Sequence, residues 1–155
     1  MEPRINKSQQ SEPFRAMLKV EQYLAHCAVE KSLLELVRMR VSQINHCAYC
    51  IDMHWKDARA AGESEQRLYG LPAWRESPYY TARERAALAW AESVTLVAET
   101  GVPDDVFAQV SAEFSEDEIV DLTWAVMAIN AWNRLNVAMR TVPGTYQAPA
   151  HKVLA

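Results

Sequence analysis

Three times in this chain a Ser or Thr stands three residues before a Glu at the head of an apolar run: Ser32-x-x-Glu35, Thr81-x-x-Glu84 and Ser115-x-x-Glu118. This is the capping-box pattern, in which the hydroxyl and the carboxylate satisfy backbone N–H groups at a helix start. Behind each box the apolar residues recur every three or four positions, and no run of β-branched residues alternates with period two. Such a chain is all-α, and we expect a single-domain helical bundle over residues 1–155, with residues 1–10 and 143–155 as loosely held tails.

The helices follow from their punctuation. The first opens near Ser11 with Pro13 in its first turn, and Phe14, Met17, Leu18, Leu24 and Ala28 mark its buried stripe. Ser32 begins the second, lined by Leu33, Val37, Val41 and Ile44. Asn45 is a good N-cap residue, so a third is expected from His46 to Ala61, ended by Gly62. A short helix spans Ser64 to Tyr69, and Leu71 to Tyr80 reads as loop. Thr81 opens a helix with Leu88, Ala91, Val94 and Ala98 on one side, ended by Gly101. Pro103 starts the next, burying Val106, Phe107, Val110 and Phe114. The last runs from Ser115 to about Arg140 and is apolar on several faces, which places it centrally or against a partner chain.

Composition excludes several classes. Half of the 155 residues are hydrophobic and the net charge is −4, with no Lys/Arg cluster to neutralise phosphates, so no nucleic-acid partner is expected. The polar opening MEPRINKSQQ lacks the apolar core of a secretory signal, and the longest apolar run, Trp124 to Ile129, is too short to span a bilayer. Three cysteines cannot all pair within one chain. The expectation is a cytoplasmic protein without a membrane partner, whose cysteines serve redox or metal chemistry.

Two cysteines carry that chemistry. Cys47 and Cys50 form a Cys-x-x-Cys pair and His54 follows four residues later, so on a helix the three fall within about 60° of one another. Near a helix start, free N–H groups and the dipole favour a thiolate. The i, i+3 spacing brings the sulfurs within disulfide reach, so one can be oxidised and the other can capture it. His54 is placed to take a thiol proton. Glu35, upstream, either orients His54 or is merely the carboxylate of its capping box; the turn at Asn45 resets the phase, and the pattern alone favours the cap. His26 reads as surface or satisfied core, Cys27 as a small core hydrophobe, and His46 as solvent-facing. Trp55, Trp74, Trp90, Trp124 and Trp132 read as core or subunit interface, with Trp55 a possible wall of the site. Asn130, Asn133 and Arg134 are polar interruptions of an apolar helix, near the site or at an interface.

The stretch ELVRMRVSQINHCAYCIDMH resembles the alkyl hydroperoxidase D (AhpD)-like members of the carboxymuconolactone decarboxylase family. Their signature is a Glu, a Cys-x-x-Cys twelve residues on and a His four residues after that, which Glu35, Cys47, Cys50 and His54 reproduce. RERAALAWAE (83–92) and AINAWNR (128–134) look like the same family, so the resemblance covers about residues 12–140. It implies a helical bundle assembled as a trimer or hexamer and an antioxidant peroxidase acting on small organic hydroperoxides without a cofactor. It implies Cys50 as the attacking thiolate, Cys47 as the resolving thiol, Glu35 and His54 as the proton relay, and a dithiol of the lipoyl type as reductant. One departure matters: the alkyl hydroperoxidase proper has a second His just before the latter cysteine, where this chain has Tyr49, a poor base near neutral pH. Decarboxylating members are expected to lack the thiol pair. Two rivals use the same cluster without peroxide turnover: a metal site on Cys47, Cys50 and His54, completed by Glu35, His46, His26 or Cys27, and a redox sensor whose disulfide changes assembly.

Overall fold

The computed structural model describes residues 2–5 and 11–149. Among these residues the chain is all-α, in the order α1 (Glu12–Leu24), α2 (Lys31–Ile44), α3 (Ala48–Ala60), α4 (Glu65–Gly70), a 3₁₀ turn (Leu71–Ala73), α5 (Ala82–Thr95), α6 (Val97–Thr100), α7 (Asp104–Ser111) and α8 (Glu116–Met139).

Helix α2 is the axis of the molecule because both of its sides are apolar. Leu34, Val37 and Val41 join Ala87, Ala91, Leu122, Val126 and Ile129 of α5 and α8 in the larger core. Leu36 and Met39 belong to a second cluster with Ala58, Leu68, Leu71, Trp74 and Leu88. Val37, Val41, Leu122 and Val126 are wholly buried, each worth roughly 1.5–3 kcal/mol relative to exposure. Carboxylates are carried inside as well, and the most heavily paired is Glu92 of α5, which accepts from Arg40 Nε (2.6 Å) and Trp74 Nε1 (2.9 Å) and pairs with Arg75. Burial works against its charge, but these donors outweigh it and hold its pKa below the ordinary carboxylate value.

Two of the three capping boxes form as read. Thr81 and Ser115 accept from the N–H of Glu84 and Glu118, whose carboxylates return to the Thr81 and Ser115 N–H. The third does not. Helix α2 starts one residue earlier, with Glu30 at the cap and no side-chain cap bond, and Glu35 is used elsewhere. The joint after α2 also differs from expectation. Asn45 is the C-cap of α2, His46 is exposed with φ 54°, and Cys47 itself is the N-cap of α3. Asn45 spends its amide on Asn130 and Asn133 of α8 (2.9 Å each).

Smaller differences have local causes. Helix α1 ends at Leu24, so Ala28 is exposed and Val29 is buried instead. The expected helix from Thr81 to Gly101 breaks at Leu96, where the Thr100 hydroxyl donates to the Ser93 carbonyl (2.8 Å), an acceptor that a continuous helix would use itself. Phe107 is half exposed, its ring tilted against Trp90. The ends are partly fastened. Arg4 N–H donates to Met139 O (2.9 Å), and Gly144 and Tyr146 bond to α3. Residues 1, 6–10 and 150–155 of the expected tails lie outside the described residues. No helix of the described residues is long and apolar enough to cross a membrane.

Candidate active site

The Cys-bearing end of α3 opens on a cavity of about 290 Å³ lined from four helices. Helix α1 supplies Phe14, Leu18 and Glu21; α2 supplies Glu35 and Arg38; α3 supplies Tyr49, Cys50, Met53, His54 and Asp57; α8 supplies Ile129, Trp132 and Asn136. Leu18, expected in the core, is more than a third exposed because it stands at this opening. Phe14 and Trp132 meet edge to face, with ring centroids 4.9 Å apart, and form the aromatic wall. Trp55 is not part of the lining and is exposed.

The structure brings the four residues singled out from the sequence into one neighbourhood. Cys47 and Cys50 are unbridged and buried, with their Sγ atoms 2.6 Å apart. His54 Nδ1–H donates to Glu35 Oε2 at 2.8 Å. Glu35 is therefore turned to the imidazole, and its capping role is excluded. Its other oxygen accepts from Arg38 (2.8 Å), and Arg38 in turn reaches Glu21 (2.9 Å), which accepts from Trp132 Nε1 (2.8 Å). A chain of polar contacts thus runs from the aromatic wall to His54. Burial opposes the Glu35 charge, but His54 and Arg38 overcome it, and its pKa is held low. An ionised Glu35 fixes the proton of His54 on Nδ1 and leaves Nε2 as the acceptor.

The two thiols behave as one unit. A thiol of Cys50 donating to a thiolate of Cys47 lowers Cys47 to about 7, against burial and with help from the first-turn N–H groups and Asn133. The same contact, followed by burial, pushes Cys50 up. One proton is shared between them, so the first ionisation is easy and the second hard. Cys50 alone of the two lines the cavity, and Asn136 Nδ2 donates to its Sγ at 3.4 Å. Tyr49 lines the cavity as a neutral phenol, since burial and the nearby Cys50 charge raise its pKa.

Asn136, Arg38 and Glu21 went unread in the sequence. Arg38 was signalled only by its i, i+3 spacing from Glu35, and Asn136 only as one more polar residue in an apolar helix. Asn133 is fully buried, takes Asn45 as donor and gives a hydrogen bond to Ser42 (3.0 Å). Asn130 and Arg134 bond to each other rather than to the sulfurs. His26 is exposed, bonded to Gln22 O, and Cys27 packs on the core.

A metal on the cysteines gains no support. Among the described residues the group whose ligand atoms converge, within 4.8 Å, is Glu35, His54 and Asp57. Each carboxylate there is already engaged, Glu35 by His54 and Arg38 and Asp57 by Tyr146. A cation would sit beside the Arg38 guanidinium. The donor set fits proton transfer better than metal binding.

Residues 12–93 match the carboxymuconolactone decarboxylase family. The chain belongs to that family. The uncharacterised protein YdfG of Bacillus subtilis is 42% identical to this chain over 128 residues, 83% of this chain and 87% of that protein. ATU0492 of Agrobacterium tumefaciens, of unknown function and proposed as an antioxidant defence protein AhpD, has a crystal structure that superimposes with a TM-score of 0.89. It is 44% identical and covers 94% of this chain and all of its own. The debrominase Bmp8 shares the fold at 18% identity and TM-score 0.73, over 84% of this chain and 70% of its own. The fold is thus that of the AhpD-like branch of the carboxymuconolactone decarboxylase family.

Proposed function

We propose that the protein is a thiol-dependent peroxidase that reduces small organic hydroperoxides through Cys50 and Cys47. The observation that carries this reading is an unbridged dithiol at the inner wall of a mostly apolar cavity, with a carboxylate-bonded imidazole one turn from the sulfur that faces it. His54 Nε2 takes the Cys50 proton while Glu35 holds the resulting imidazolium; the one proton left to the two sulfurs then rests on Cys47, and the Asn136 amide steadies the charge on Cys50. The thiolate attacks the hydroperoxide: the S–O bond forms, the O–O bond breaks, and the alkoxide leaves as alcohol with a proton from the relay. Cys50 is then a sulfenic acid. Cys47 attacks it, the disulfide forms and water leaves. An external dithiol of the lipoyl type returns two electrons and two protons and departs as its own disulfide. No cofactor enters the cycle.

The cavity is at the small end of organic-ligand sites, which suits a compact hydroperoxide. Val120, Trp124 and Met127, each about half exposed on one side of α8, support assembly as a homo-oligomer, trimer or hexamer, and a pair that must be re-reduced suits the cytoplasm. The test is peroxide consumption with a dithiol donor in Cys50→Ser and Cys47→Ser. Loss of turnover in both, with one equivalent of peroxide still consumed by Cys47→Ser, is the expected result. A Cys50→Ser protein working at the parent rate overturns the reading. A redox sensor lacking turnover would instead change its oligomeric state on oxidation without sustained peroxide consumption.

A further inference from the structure

Two side chains at the cavity have no part in the chemistry above. Asp57 stands three residues after His54 on α3, and the segment 141–149 that leaves α8 brings Tyr146 to it. The Tyr146 hydroxyl donates to Asp57 Oδ1 at 2.7 Å. The segment is held independently of that phenol: Gly144 N–H donates to Asp52 Oδ2 (3.0 Å), and Lys56 Nζ reaches both Asp52 (2.8 Å) and Tyr146 O (3.0 Å). Asp57 lines the cavity, and its carboxylate, the His54 ring and the Glu35 carboxylate lie within 4.8 Å of one another.

We propose that Asp57, held by the Tyr146 hydroxyl, is a positioning residue of the relay, supplying a second counter-charge for the imidazolium formed when His54 takes the Cys50 proton. This rests on the reading of Cys50, His54 and Glu35 given above. Glu35 does not serve His54 alone: Arg38 is shared between Glu21 and Glu35, so the Glu35 carboxylate divides its charge between the guanidinium and the imidazole. Burial, and after it the Glu35 charge, raise the pKa of Asp57 above the ordinary carboxylate value, against the Tyr146 hydrogen bond, His54 and Arg38. The phenol is the strongest of the three groups that oppose its neutralisation. Facing Asp57 are Glu35 and Arg38 from α2, His54 from its own helix and Tyr146 from the segment 141–149. Glu21 from α1 and Tyr49 and Cys50 from α3 complete the titratable lining, and α8 adds only the neutral Asn136 with apolar groups.

The experiment follows the rate of Cys50 alkylation by iodoacetamide against pH, read by peptide mass spectrometry, in the full chain. Tyr146→Phe and Asp57→Asn should each raise the midpoint by about half a unit to one unit, a carboxylate at this distance being worth that much or more. The rate at pH values below the midpoint then falls roughly 3- to 10-fold. In the Asp57→Asn background, Tyr146→Phe should add nothing, because the hydroxyl acts through the carboxylate. A purely structural role would lower the rate or the melting temperature without moving the midpoint, and an unmoved midpoint in both single variants overturns the proposal. So does a Tyr146→Phe shift of equal size with and without Asp57. His54→Ala separates the two readings. If it leaves the midpoint at the parent value, the relay itself fails and this inference with it; if it moves the midpoint while the Asp57 and Tyr146 variants do not, this inference alone fails.

Discussion

Replacing Glu35 by Gln keeps the shape of the side chain and removes its charge, so it isolates what the carboxylate does. In the parent, its two oxygens accept from His54 Nδ1 and Arg38, both at 2.8 Å, with the Glu35 side chain 17% exposed. The amide cannot satisfy both: one end still accepts, while the other turns an N–H toward a donor. Hydrogen bonds involving charged groups are worth roughly 1.5–3 kcal/mol each. For chemistry, the relevant loss is the stabilisation of the His54 imidazolium as the Cys50 thiolate forms. At about 1.4 kcal/mol per decade this slows single-turnover peroxide reduction roughly 10- to 100-fold. For stability, losing one charged contact outright costs about 2 kcal/mol, a fall in Tm of roughly 4–8 °C for a chain of this size. The pH dependence carries the sign. Because the folded pKa of Glu35 is depressed, its stabilisation is present in full above the unfolded value near 4.3 and is lost as pH falls through the folded value. The Tm gap between parent and Glu35→Gln should thus be largest near neutral pH and close in acid, once pH has fallen through the depressed folded value. Stopped-flow peroxide consumption and thermal melts across pH check both halves. A variant with the parent rate at neutral pH, or a Tm gap that persists undiminished in acid, refutes the argument that this carboxylate is ionised and coupled to His54.

The Asn136 amide donates to the cavity-facing sulfur, so Asn136→Ala should reduce Cys50 alkylation at neutral pH by about 10-fold, the worth of one hydrogen bond to a charged group, with little change in Tm. Glu92→Gln should do the reverse: it strands Arg40 and Arg75 beside Trp74, costing ~3 kcal/mol and a Tm fall of roughly 6–12 °C, while the alkylation rate of Cys50 in the folded protein stays at the parent value. Thermal melts and alkylation kinetics on the same preparations distinguish the two.

The helical class, most helix starts and the shared face of the two cysteines and His54 were legible in the chain, because these rest on interactions between near neighbours. Capping boxes at Thr81 and Ser115 close over three residues, and Cys47, Cys50 and His54 share a face within two turns of one helix. Local pattern failed where a side chain had two possible partners and the distant one won. Glu35 matches a capping box, yet His54 and Arg38 offer it charged hydrogen bonds that a backbone N–H cannot equal; Asn45 could cap α3, yet α8 presents two amides to it. Tertiary structure alone decided which sulfur faces the cavity, that Asn136 reaches it, and that Tyr146 lies against Asp57. These pairs are separated by 86 and 89 residues in the chain, and no periodicity links positions so far apart. Only the packing of α8 and the segment after it onto α3 brings them together.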